Sequence, residues 1–304
     1  GTIAQQEFTY VQLEPGLGVY MWIDYNGNGI QELQEFEVAP FPDQANYVRI
    51  FLPNRNFVPT QVNRFSESLN FNPQKWKDKK GVLGTISKFY NQTSLLVERR
   101  VLRDGNRFDL NPFASGDDNL LGLQFNFRNS LFFNRAKQRH TVVYTFHDLK
   151  NRSLLSVGSQ ENNIQSHQLQ YSHLVQKTWL LQLLSKTSQQ DWITENFALR
   201  NFTIQSWQVQ PKIGYLWDAQ ANIDLFYEFQ QKNNQLADFE QLQQHRIGLQ
   251  ANYIGAKNMV INGEFSYFQN QFTGMTNTPV AFQMLEGLQP GQNLAWRLLV
   301  QKNL

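Results

Sequence analysis

Leu121-Gly122-Leu123-Gln124-Phe125-Asn126-Phe127-Arg128 decides the fold. Every odd position is apolar and every even position is polar or glycine. A helix needs apolar residues three and four apart, and this stretch has none at that spacing. A two-residue period is that of a β-strand with one apolar and one polar face. The same period recurs at Ile247-Gly248-Leu249-Gln250-Ala251-Asn252-Tyr253. Met259, Ile261, Phe265 and Tyr267 face away from Asn262, Glu264 and Ser266 in the same way. So do Ile223, Leu225, Tyr227 and Phe229 against Asn222, Asp224 and Glu228, and Trp207, Val209, Ile213, Tyr215 and Trp217 against Gln208, Gln210 and Lys212. An all-β, antiparallel chain follows.

Working outward, eleven strands are expected near 60–74, 81–102, 119–133, 140–156, 166–175, 179–187, 202–217, 222–231, 244–254, 258–270 and 292–304. The gaps alternate: short at 75–80, 134–139, 176–178, 218–221 and 255–257, long at 103–118, 157–165, 188–201, 232–243 and 271–291. Outer-membrane barrels have short turns at one end and long loops at the other. A soluble sandwich meets water at both ends and has no reason to keep that parity. The expectation is therefore an antiparallel transmembrane β-barrel, closed within this chain or part of a larger one. Two regions are expected: a β-rich extracellular segment at 1–58 and barrel strands at 59–304. Arg128, Glu228, Arg246 and Glu264 should point inward, because a charge facing lipid at mid-depth costs up to about 2–4 kcal/mol. Trp179, Trp217, Tyr227 and Tyr253 are placed to sit at the headgroup level.

Composition agrees with this reading. The chain has 304 residues, of which 41% are hydrophobic, 14% aromatic and 17% charged. Glutamine makes up roughly 12%, well above ordinary usage, interleaved with aromatics as a wet lumen wall requires. There is no cysteine, which excludes disulfides and Cys-based zinc sites. A net charge of +2 gives no argument for nucleic acid. No apolar run approaches the roughly 18 residues of a membrane helix. Gly1 to Glu7 has neither the basic start nor the apolar core of a signal peptide. The chain stops at Gln301-Lys302-Asn303-Leu304, inside an alternating segment, and reads as cut short.

One motif is specific. Asp24-Tyr25-Asn26-Gly27-Asn28-Gly29-Ile30-Gln31-Glu32-Leu33-Gln34-Glu35 fits the EF-hand calcium loop at every ligand position. Asp24, Asn26 and Asn28 fall at positions 1, 3 and 5, and Gly29 at the sharp turn. Ile30 offers its backbone carbonyl, Glu32 stands at position 9 and Glu35 is the bidentate carboxylate. Val19-Tyr20-Met21-Trp22-Ile23 before it reads as a strand, and only Gln31 to Phe36 as a helical turn. That points to a structural Ca2+ site rather than a sensor hand; an Asn-Gly turn without an ion is the plain alternative. Counting connections places the loop on the side of the long loops, at the mouth of the barrel.

The run Tyr20 to Arg49, with Asp-Tyr-Asn-Gly-Asn-Gly-Ile-Gln-Glu-Leu and Asp43-Gln44-Ala45-Asn46-Tyr47-Val48-Arg49, resembles large uncharacterised outer-membrane proteins of Bacteroidota. Tyr90 to Arg99 and Asn196-Phe197-Ala198-Leu199-Arg200-Asn201-Phe202 are similar too. The resemblance implies a C-terminal region of membrane strands in the outer membrane of a Gram-negative bacterium, preceded by further residues. Such proteins usually end on a strand closing with an aromatic residue, which this chain lacks. No activity comes with the resemblance.

Walker, dinucleotide, His-Glu-x-x-His and Gly-x-Ser-x-Gly motifs are all missing. His167 and His173 share a face but lie roughly 20 Å apart along a strand, too far to ligate one ion. His147-Asp148, with Ser166 or Ser172, is a candidate for a barrel hydrolase. Lys75-Trp76-Lys77-Asp78-Lys79-Lys80 reads as a basic turn, solvated or against anionic lipid heads. The functional expectation is a transport or structural barrel in contact with outer-membrane lipid and other envelope proteins. A barrel hydrolase and a soluble β-rich glycan-binding module stay open beside it.

Overall fold

A computed structural model of the chain describes residues 2–25, 27–103, 120–135, 139–155, 158–197, 200–218, 220–236, 240–255 and 259–302. Fourteen strands dominate the described residues. β1 (Thr2–Gln12), β2 (Tyr20–Trp22), β3 (Phe36–Val38) and β4 (Tyr47–Phe71) come first. After the short helix α1 (Val82–Ile86) follow β5 (Phe89–Leu102), β6 (Leu120–Phe133), β7 (His140–Leu155), β8 (Gly158–Val175) and β9 (Trp179–Thr194). Then come β10 (Phe202–Leu216), β11 (Ala221–Asn234), β12 (Gln241–Gly255), β13 (Met259–Thr273), helix α2 (Pro279–Leu285) and β14 (Gly291–Lys302). From β4 to β14 each strand pairs antiparallel with the next, giving an eleven-strand meander.

Directly opposed residues of an antiparallel pair share a face, so the registers sort every side chain. One face carries Ile213, Leu225, Leu249 and, one step from Leu249, Phe265 and Trp296. The other carries Asp224, Glu228, Arg246, Gln250 and Glu264. Burial is inverted relative to a water-soluble sheet. Asp224, Glu228, Lys232, Gln244, Ser266 and Asn270 are buried, while Ile213, Leu225, Ile247, Leu249, Phe265 and Trp296 are exposed. The sheet curls toward its polar face. Along β12 the apolar face runs from His245 to Tyr253, ~27 Å of strand and ~20 Å of height at a tilt of about 40°.

Rings border that band. On one side Tyr144 Oη meets His167 Nδ1 at 2.8 Å and Tyr227 Oη meets His245 Nδ1 at 2.7 Å. On the other, Trp179 packs edge-on against Tyr215, and Tyr215 against Trp217. Beyond the His/Tyr border the same face turns to glutamine: Gln165 opposes Gln189, Gln189 opposes Gln205, and Gln231 opposes Gln243.

The strands run further than expected into these two-sided polar stretches, where no alternation marks them. The segment 157–165 is not a long loop: β7 ends at Leu155 and β8 begins at Gly158. The connection expected to be short at 75–80 spans 72–88, with a 3-10 turn at Gln74–Trp76 and α1 where strand was expected from 81. Gly81 takes a positive φ of 73° and Gly84 lies against the Lys79 carbonyl, positions that suit a turn and not a strand. The connections expected to be long at 188–201 and 232–243 shrink to 195–201 and 235–240, within a residue of the length of 134–139, so the alternation of short and long connections survives only in part. Of the two expectations, a barrel closed within this chain or part of a larger one, closure is not shown among the described residues: between Ser66 and Phe71 β4 has only β5 beside it, and β14 has only β13.

Phe226 is 2% exposed, its ring lying on Gly248 directly across the β11–β12 pair and against the Arg246 guanidinium, 4.9 Å away. A Cβ at 248 would overlap the ring. Gly248→Val should therefore destabilise the sheet by about 1–3 kcal/mol, read as a lower denaturant midpoint. Phe226→Leu in the same background should recover part of the loss.

Candidate functional site

Two places carry chemistry: the loop between β2 and β3, and the concave polar face. The loop is the connection of a β-hairpin, with Tyr20 opposite Val38 and Trp22 opposite Phe36. It is not flanked by two helices, as the sequence reading expects; the helical turn reduces to Leu33–Glu35. Asp24 shapes the turn, Oδ1 accepting from the Gly27 and Asn28 amides (2.7 and 3.2 Å) and Oδ2 from Gly29 (2.8 Å). Gly27 and Gly29 adopt φ of 69° and 70°, which a side chain would resist. Asn28 Oδ1 accepts from the Ile30 amide at 2.7 Å. Tyr25 donates to Glu37 Oε1 at 2.6 Å; that hydrogen bond, then desolvation and the carboxylate's charge, raises its pKa above the ordinary tyrosine value.

Glu35 is different. Its side chain is 1% exposed, with Oε2 accepting from Trp22 Nε1 at 2.8 Å and from the Glu32 amide at 3.3 Å. Its Oε1 is buried without a hydrogen-bond partner. A carboxylate oxygen left so is costly unless a cation or donor meets it. The donor set of hard oxygens suits calcium. Against this, Asp24, Glu32 and Glu35 do not converge: among the described residues no three acidic or histidine side chains gather as a metal group. Asn26 lies outside the described residues.

The loop stands at the end of the sheet where β5 leaves and β6 enters. β4 carries it there, its carboxy-terminal half pairing with β5 and its amino-terminal half with β1. Arg49 of β4 forms a salt bridge with Glu195, in the connection after β9. Asn196 donates to the Arg49 carbonyl at 2.7 Å, and Glu195 Oε2 accepts from the Ser159 amide at 2.8 Å. The β4 segment is thereby tied across the mouth of the curled sheet.

Several charges of the concave face are paired. Arg246 reaches Glu264 at 2.5 Å and Glu228 at 4.0 Å, between the rings of Phe226 and Phe268. Lys212 meets Asp224 at 3.4 Å. Arg246, Glu228 and Glu264 are where the alternation puts them. Arg128 shares this face, lining a trough of about 590 Å³ with Ser66, Ser94, Thr145, His147 and Lys186. His147 Nε2 hydrogen-bonds Asn126 Oδ1 at 3.0 Å and stands opposite Ser166. Asp148, the next residue of the strand, projects to the other face and pairs with Lys150 at 3.6 Å. It does not orient His147, and Ser172 lies six residues from Ser166 along β8.

Helix α2 was not foreseen. The concave face turns apolar at Phe202, Ile204 and Leu242, and there α2 buries Val280, Met284 and Leu285. Thr278 caps it, accepting from the Ala281 amide at 3.1 Å, and Pro279 occupies the first turn. That Thr-Pro pair is a readable start signal. Lys232, inside the sheet, donates to the Met284 carbonyl at 2.9 Å and to Glu286 at 2.5 Å. A 690 Å³ cavity lies beside it, lined by Trp192, Phe197, Arg200, Phe202, Pro279 and Phe282 among others.

The chain matches no family model, and no curated protein matches it. Lys232→Met removes both bonds to the end of α2. It should loosen α2 by about 1–2 kcal/mol, hence about 5–30-fold in its open population. Limited proteolysis within 274–290 should quicken accordingly while the strands stay intact.

Proposed function

We propose that residues 60–302 are wall strands of an outer-membrane β-barrel of a Gram-negative bacterium, acting in transport or as a structural subunit of an envelope assembly. The observation that carries this reading is the inversion of the two faces: carboxylates, amides and lysine buried on the concave side, a ring-bordered apolar band exposed on the convex side. In water that band would be a large exposed patch of the kind that associates or aggregates. Against lipid it is the favoured surface, and the polar face then lines a wet lumen. Trp179, Trp217, Tyr227 and Tyr253 are all exposed on the convex side, where a headgroup border would use them. The partners are outer-membrane lipid and neighbouring envelope proteins.

Extraction tests it. The protein should stay with the membrane pellet through high salt and carbonate and come out only in detergent. A compact monomer in plain buffer would end the proposal.

The same reading gives the loop a calcium ion, held by Asp24, Asn26, Asn28, the Ile30 carbonyl, Glu32 and Glu35. Glu35 Oε1, buried and unmatched, supports it. Filling the site needs the carboxylates to draw together around the ion. Calcium at 100 times its Kd should add about 2.7 kcal/mol, seen as a higher melting temperature that a chelator reverses. Glu35→Gln should abolish the response; identical melting curves with and without chelator would remove the ion from the account.

A further inference from the structure

Charge on the concave face is unevenly matched. Toward β10–β13, Lys212 meets Asp224, Lys232 meets Glu286, and Arg246 meets Glu228 and Glu264. Toward β6–β9 the cations are Arg128 and Lys186. Neither has a carboxylate within salt-bridge distance among the described residues. Both border the trough of about 590 Å³.

The registers show how that trough is built. Arg128 stands directly opposite His147, and His147 opposite Ser166. The row continues as Ser94 and Ser68 on one side and Ser188 on the other. Lys186 lies one step along the same face from Ser188, opposite Gln168, whose other neighbour is Thr145. Three strand spacings, about 14 Å, separate the backbones of β6 and β9. Two long cationic side chains therefore border the trough from opposite ends, with His147 and Ser166 between them. Glu67, the one acidic residue on its border, is opposed to Leu95, and both belong to the convex face.

For the fold alone this arrangement is a cost. Cations gathered without a counter-charge repel one another, and a cleft lined by one sign concentrates ions of the other. The hydroxyls of Ser66, Ser94 and Ser166, all on the trough wall, make no hydrogen bond among the described residues, so their protons are available to a ligand. A guanidinium presents a fork of N–H donors that matches two oxygens at once, and an ammonium adds a point charge. A carboxylate has two oxygens and one charge. Two cations with hydroxyls around them suit a dianion with oxygens on every side. The volume lies within the range of small-molecule sites, about 300–1,000 Å³, and leaves room for more than the anion itself.

We propose that the trough binds phosphate, as the charged group of a small phosphate-bearing solute, between the Arg128 guanidinium and the Lys186 ammonium. The role of that binding rests on the barrel reading and deepens it. In a barrel the trough faces the lumen, and Arg and Lys side chains there select anions as they do in phosphate pores. Phosphate-bearing solutes are then the class this part of the wall admits.

The test uses the full-length polypeptide in non-ionic detergent, without added calcium, titrated with inorganic phosphate in a calorimeter. Binding should be saturable, and acetate should bind about 10-fold more weakly or worse. Arg128→Gln and Lys186→Gln should each weaken phosphate by about 10-fold or more, and Arg128→Lys should lose less than Arg128→Gln. Lys177→Gln, in the exposed turn before β9, should bind as the unaltered protein does. Phosphate should raise the melting temperature of the unaltered protein and not that of the double variant Arg128→Gln/Lys186→Gln. The double variant's own melting temperature should not fall, since neither removed charge has a partner. No saturable binding, equal affinity for acetate, or undiminished binding by the double variant would overturn the inference. So would saturation by dioctanoylphosphatidylglycerol but not by inorganic phosphate. The titration reports on the trough whatever surrounds the protein. Recovery from the soluble fraction would sink the barrel reading alone, and a membrane-held protein that ignores phosphate would sink this inference alone.

Discussion

Everything in this molecule depends on keeping side chains of opposite character on opposite faces of one curled sheet. Register enforces it: a slip of one residue between any two strands would exchange the faces of everything beyond it. Leu225 opposite Leu249, and Asp224 opposite Gln250, show the two faces held in phase across adjacent strands. The same constraint explains why so little of the chain is irregular. Each backbone donor and acceptor in the interior strands of the described sheet has a neighbouring strand to meet.

The concave side has its own requirement. Many of the charges crowded on one face are matched locally: Arg246 with Glu228 and Glu264, Lys212 with Asp224, Lys232 with Glu286. Apolar side chains that enter that face at Phe226, Phe202 and Ile204 each have something to receive them. Phe226 lies on Gly248, and Phe202 and Ile204 meet α2. These apolar intrusions break the alternation of their strands, and each break has a packing partner.

Much of the wall was legible because period two is a local signal. All eleven strands from β4 onward overlap the segments the alternation marks, and Glu228, Arg246 and Glu264 lie on the face it assigns. Strand ends were not legible where both faces turn polar, as at Gly158–Asn163 and Ser188–Asp191, because pairing there is set by the neighbouring strand and not by residue type. Helix α1 was hidden by Val82 and Leu83, which continue an apolar reading that Gly81 and Gly84 interrupt. The loop at Asp24–Glu35 was legible as a turn with the right oxygens. Whether those oxygens meet one ion is a matter of side-chain placement, which no spacing encodes. The union of Arg49 with Glu195 and Asn196 joins residues 146 and 147 positions apart and had no sequence signal at all.

That union changes how the molecule bears load. β4 leaves the wall at one edge and is fastened to the connection between β9 and β10, well around the curve, by an ion pair and a hydrogen bond to its backbone. It acts as the string of a bow. Tension on the amino-terminal hairpins reaches two separated parts of the rim at once, and flattening the arc requires the string to be cut first.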